Sequence, residues 1–153
     1  MVDITHKINT LRSATAQATV RVSKQETIDA LQRNAVPKGN VFEMAKTAGL
    51  FAVKNTHTSI PDCHPLPVEY TAVDYRIEGL QVFIEITVKT VYKTGVEVEA
   101  MHGASVIALT MYDMLKPIDK GIEINNVKLL HKKGGKSSFK DQNPSRLSAH
   151  VIV

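Results

Sequence analysis

Between Leu80 and Lys89 the chain alternates. Leu80, Val82, Ile84, Ile86 and Val88 fall on one side, and Gln81, Glu85, Thr87 and Lys89 on the other. A period of two describes a strand with one buried and one polar face, so it demands a sheet and an apolar layer to cover it. A candidate cover follows at once. After Thr94-Gly95, the stretch from Val96 to Lys116 is a long run of Ala, Met, Val, Ile and Leu that Pro117 stops. This helix is apolar nearly all round, which implies burial on more than one side and a contact with another subunit.

The remaining segments complete the plan. Ala14 to Ser23, ATAQATVRVS, is rich in Thr and Val and reads as a strand. Lys24 to Asn34 sets Ile28 and Leu31 among polar residues as a short amphipathic helix, and Pro37-Lys38-Gly39 breaks the chain after it. Asn40 is a good N-cap with Glu43 three residues on, and the apolar positions from Val41 predict a helix ending near Asn55 to Thr58. Ile60 to Pro67, IPDCHPLP, holds three prolines and makes a rigid, irregular loop. Glu69 to Glu78 is a strand turned at Gly79, and Ile122 to Leu130 is the last strand, with Gly134-Gly135 opening a flexible basic segment. Strand, helices, strand, strand, helix, strand is the βαββαβ order of a ferredoxin-like α+β sandwich, an antiparallel sheet with helices on one face. Residues 1–140 are expected to form a single domain, and 141–153 a tail of uncommitted structure.

Composition narrows the function classes. With 43% apolar and 22% charged residues among 153, the chain is neither disordered nor too small for a core. No apolar stretch reaches the ~18 residues of a membrane span, and no signal peptide is visible at the amino end. Cys63 is the single cysteine, which excludes an internal disulfide and fits a reducing cytoplasm. The net charge of +4 favours anionic partners, and Lys128, Lys132, Lys133, Lys136 and Lys140 concentrate it near the carboxyl end. A nucleic-acid platform would need several stacking aromatics on the sheet, and Phe83 is almost the only one on the clearest strand.

Four polar groups stand out. Lys38 precedes a glycine and a helix N-terminus, where amides and the helix dipole favour an anion. Asp62, Cys63 and His64 sit side by side, with the backbone of His64 held between Pro61 and Pro65. No Cys-x-x-Cys or His-x-x-x-His spacing accompanies them, so no metal site is expected. Glu99, His102, Val106, Leu109, Asp113 and Lys116 mark one face of the oily helix, where charges are costly unless paired or used. KKGGK, Lys132 to Lys136, resembles the end of a phosphate-binding P-loop, but Leu130 stands where that motif needs glycine. A basic flap that closes over a polyphosphate is the better reading.

Six stretches, in order, resemble the molybdenum-cofactor biosynthesis protein C (MoaC) family: MVDI from Met1, KGNVFEMAKTAG from Lys38, IPDCHPLP from Ile60, KTGVEVEAMHGAS from Lys93, TMYDMLK from Thr110 and KLLHKKGGKS from Lys128. The resemblance runs to about Ser138. It implies a ferredoxin-like subunit in a homohexamer, a trimer of dimers, with active sites at dimer interfaces. It also implies a lyase that converts 3′,8-cyclo-7,8-dihydro-GTP to cyclic pyranopterin monophosphate and releases pyrophosphate. No cofactor is implied beyond Mg²⁺ carried on the substrate triphosphate.

Carried over by motif, Asp113 and Lys116 form the catalytic pair, with Lys38 as a second catalytic lysine. A lysine must lose its proton to act as a base, and Asp113 would position it. Asp62, Cys63 and His64 match the substrate-binding loop, and Glu97, Val98 and Glu99 the start of the long helix. Lys132 and Lys136 would hold phosphates, and Arg12 resembles a family arginine that reaches the site. Family members often carry a further segment before MVDI, aspartate at the position of Asn40, leucine at that of Asp62 and glycine at that of Ser138. Asp62 adds negative charge to an anion-binding loop, so its contact is expected through the backbone.

Overall fold

A computed structural model describes residues 1–135, 138–142 and 151–152. Along the chain run β1 (Thr10–Arg21), α1 (Gln25–Gln32), α2 (Val41–Lys54), α3 (Thr56–Ser59), β2 (Tyr70–Glu78), β3 (Gln81–Tyr92), α4 (Glu97–Leu115) and β4 (Glu123–Lys133), followed by the two-residue strands β5 (Phe139–Lys140) and β6 (Val151–Ile152). The sheet order is β5-β4-β1-β3-β2-β6, and every neighbouring pair is antiparallel. The four long strands therefore stand as 4-1-3-2. This is the ferredoxin-like α+β arrangement that the element order predicts.

Register explains which side the helices cover. On β1, Ala14, Ala16, Ala18 and Val20 oppose Val88, Ile86, Ile84 and Val82 of β3, and all eight are fully buried. On the other side of β3, Val73 and Tyr75 of β2 oppose Ile86 and Ile84 and extend the same apolar face. Alanines on the central strand keep that face low, so α4 lies close against β1, β3 and β4 while α2 packs beside it. The helices meet at Gly49 and Gly103. A Cβ on Gly103 would stand 2.7 Å from both Ile86 and Val53, and one on Gly49 would stand 2.6 Å from Ile107. The opposite face carries Thr15, Gln17 and Thr19, where Thr15 meets Thr87 at 2.9 Å through their hydroxyls. Phe83 lies on that face only 8% exposed, with the Arg76 guanidinium 4.2 Å from its ring centre, so it offers no open stacking surface.

Several boundaries differ from the sequence expectation. β1 starts at Thr10 and β4 continues to Lys133, because inter-strand pairing extends both beyond their alternating cores. Lys132 and Lys133 thus belong to a strand, and the turn begins at Gly134. The tail contributes β6, which pairs with Asp74 and Tyr75 of β2. Asn40 caps α2 as its side chain accepts from the Glu43 amide at 3.0 Å. Buried Asp119, after α4, ties that helix to the β1–α1 junction. It accepts from the Ser23 amide and hydroxyl, the Thr27 hydroxyl and the Gly121 amide at 2.6–2.9 Å. Among the described residues no helix is long and apolar enough to cross a membrane.

Candidate active site

The expected site residues gather at the two ends of α4. The amino end holds the first group. Glu97 and Glu99 lie in the first helical turn, and Glu97 accepts from Lys132 Nζ at 2.8 Å. That contact depends on an irregularity in the β1–β4 ladder. Ala16 opposes Leu129, but Thr15 opposes His131, so Leu130 is an extra residue in β4. Without it, Ala14 would face His131 and Lys132 would point to the far side of the sheet, since one residue of slip inverts the face. With it, Lys132 opposes Ala14 on the helix-covered face and reaches α4.

Arg12 shares that face at the end of β1 and is 8% exposed. Its Nε donates to the Thr10 hydroxyl at 2.6 Å and its Nη2 to the Lys93 carbonyl at 3.3 Å. The Gly134-Gly135 turn lies directly against it. Both glycines have positive φ, 104° and 71°, and a Cβ on Gly134 would collide with the Leu11 carbonyl and the Arg12 side chain. Beside this turn a cavity of about 590 Å³ is lined by His131, Lys132, Lys133, Ser138, Phe139 and Lys140. Lys136 lies outside the described residues.

The proline-rich loop covers the start of α4 and brings Cys63 to Glu99, with Sγ donating to Oε2 at 3.3 Å. Glu99 is only 3% exposed; its burial raises the carboxyl above its ordinary range, partly offset by its own amide and the Cys63 thiol. Burial would also raise Glu97, but the Lys132 hydrogen bond, its own amide and nearby Arg12 hold it lower instead. His64 Nε2 donates to the Val2 carbonyl at 2.8 Å. Asp62 points outward, its side chain 90% exposed and 3.4 Å from the Met1 amino group. Val98 is 43% exposed on the outer side of the same turn.

The second group sits at the carboxyl end. Lys38 Nζ donates to Asp113 at both its carbonyl, 2.9 Å, and its Oδ2, 3.2 Å. Lys116 Nζ approaches Asp113 Oδ1 at 3.2 Å. One carboxylate thus holds two ammonium groups, and the hydrogen bonds from Lys116 and then Lys38 lower its pKa. All three side chains are about half exposed.

Glu99 and Asp113 do share a helix face, yet this does not bring them together. Fourteen residues at ~1.5 Å each separate them by about 21 Å along the axis. Within one subunit the expected residues form two separate groups. Sequence reasoning missed three participants in the first: the Thr10 hydroxyl, the Lys93 carbonyl and the Leu130 bulge. No side-chain pattern marks a carbonyl or a bulge, so no sequence signal could have found the last two.

The profile of the MoaC family matches residues 1–135. A cyclic pyranopterin monophosphate synthase of Pelobacter propionicus is 46% identical over 139 residues, covering 90% of this chain and 86% of the relative. The proteins of that name from a Nostoc species and from Clostridium perfringens are 45% and 44% identical over 90% of this chain, and 82% and 87% of their own lengths. A family profile over nearly the whole chain, and identity this high over nine-tenths of it, leave one assignment: the chain belongs to the MoaC family.

Proposed function

We propose that the chain is a cyclic pyranopterin monophosphate synthase, a lyase that takes 3′,8-cyclo-7,8-dihydro-GTP to cyclic pyranopterin monophosphate and pyrophosphate in molybdenum-cofactor biosynthesis. The observation that carries this reading is the grip of one aspartate on two lysines, Asp113 with Lys38 and Lys116, on the same helix that begins with a carboxylate and cation cluster. Ring rearrangement needs groups that give and take protons, and the lysines serve there, held in place by Asp113. Closing the cyclic phosphate needs cations around the triphosphate. A substrate hydroxyl oxygen displaces pyrophosphate from the α-phosphorus while Arg12, Lys132 and Lys136 offset the negative charge. Asp62, Cys63, His64, Val98 and Glu99 shape the pocket for the heterocycle. The reaction needs no resident cofactor, and any Mg²⁺ arrives on the triphosphate.

The two half-sites, about 21 Å apart along α4, cannot act on one small molecule within one subunit. The complete site therefore combines the amino end of α4 from one copy with the carboxyl end from another. A two-fold dimer makes two such sites, and a trimer of dimers makes a hexamer. Exposed Met44, Phe51, Val98, Leu109 and Tyr112 on the outer faces of α2 and α4 give the apolar surface that such packing uses. The assembly works in the cytoplasm, without nucleic acid or membrane partners.

The test is turnover of enzymatically prepared 3′,8-cyclo-7,8-dihydro-GTP, with pyranopterin and pyrophosphate both measured. Release of both, lost in a folded Lys116→Ala protein, supports reaction and site together. Full activity in Lys116→Ala would keep the family and remove the assigned mechanism.

A further inference from the structure

Glu99 has one carboxylate oxygen occupied and one left over. Oε2 accepts from the Cys63 thiol at 3.3 Å, whereas Oε1 is buried with no hydrogen-bond partner among the described residues. Leaving such an oxygen unmatched is costly, and a folded protein retains few of them. The nearby groups do not fill it. Glu97, in the same helical turn, is engaged with Lys132, His57 of α3 acts on Glu99 through charge, and the Glu99 amide favours the ionised carboxylate without making a hydrogen bond to Oε1. The loop that delivers the thiol has its backbone restricted by Pro61 and Pro65 on either side of Asp62-Cys63-His64.

A cysteine here has two possible uses. As a nucleophile it would have to be a thiolate, but burial, then Glu99 and Glu97, push the thiol up to about 12. As a donor it needs to keep its proton, which these surroundings favour. Against an ionised acceptor even a weak S–H donor gains from the charge.

We infer that Cys63 is a positioning residue: its thiol proton clamps Oε2 of Glu99 and leaves Oε1 as the acceptor that a substrate N–H or O–H fills. This rests on the reading that Glu99 belongs to the substrate pocket. The clamp favours the ionised carboxylate, so losing it makes Glu99 harder to ionise.

Cys63→Ala and Cys63→Ser separate the possibilities. The Glu99 carboxyl is followed by ¹³C NMR titration, with Glu99→Gln assigning the signal. In Cys63→Ala the Glu99 midpoint is expected to rise, kcat/KM to fall roughly tenfold or more, and the acid limb of its pH profile to move to higher pH. Cys63→Ser keeps a donor and is expected to recover most of both. Because Cys63 is the single cysteine, thiol alkylation reports on it alone, and Glu99→Gln should speed alkylation by removing a nearby negative charge. An unmoved Glu99 midpoint in Cys63→Ala, or unchanged alkylation in Glu99→Gln, overturns the clamp. So does a Cys63→Ser protein as impaired as Cys63→Ala. Titration and alkylation do not depend on turnover: if both shift in a protein that never makes the pterin product, the clamp stands and the proposed reaction falls.

Discussion

Asp113 differs from an ordinary surface aspartate in having two lysines directed at it, one from the α4 end and one from the turn before α2. Its replacement by asparagine keeps the shape and removes the charge that orients both ammonium groups. Asp113→Asn is therefore expected to lower kcat by roughly a hundredfold or more, the scale of a positioned acid–base group, with the melting temperature little changed. Steady-state kinetics beside circular dichroism check this. Asp119 is the contrasting case, a carboxylate used for stability. Burial alone would raise its pKa, but hydrogen bonds from the Ser23 hydroxyl and amide, the Gly121 amide and the Thr27 hydroxyl bring it down to about 2. With a folded value below the ordinary 3.8, its contribution is present above 3.8 and is lost as pH falls from there through about 2. The shift corresponds to about 2 kcal/mol. Asp119→Ala should cost at least that amount in urea titrations at neutral pH, and the difference from wild type should shrink toward pH 2.

At the scale of elements, the closeness of α2 and α4 rests on two glycines. A side chain at Gly103 has Ile86 and Val53 within 2.7 Å of its first carbon, so Gly103→Val is expected to overpack the core. The expected loss is about 1–3 kcal/mol, read from the urea midpoint. The pattern that predicts α4 is fully legible, because a 19-residue helix rich in Ala, Met, Val, Ile and Leu needs no partner to be recognised. The four-residue α3 is not, since it is shorter than any helical period can reveal. The Leu130 bulge is equally silent. Its local sequence is an ordinary strand, and the extra residue exists only relative to β1.

For the whole molecule the proposed function implies a site shared between subunits. Lys116→Ala and Lys132→Ala each disable a different half, so neither homomer should turn over substrate. If the two are mixed under conditions that exchange subunits, random pairing leaves roughly a quarter of the sites intact, and activity should return to about that level. Recovery would be absent if both halves served one site within a single subunit. Sedimentation in the same samples reports which oligomer is present, and the proposed assembly is a hexamer.

What the sequence determined by itself is what local periodicity and motif order encode. The alternation of β3 and the oily run of α4 require a sheet with helices on one face, and the family stretches name Lys38, Asp113 and Lys116 as a group. These three meet because one lies in the same helix turn as another and the third in a rigid turn. Tertiary structure alone decided the rest: that Leu130 turns Lys132 toward Glu97, that Cys63 closes on Glu99, and that the expected site divides across the length of α4. Register, side-chain contact and distance between helix ends are relations between segments far apart in the chain, and no local pattern carries them.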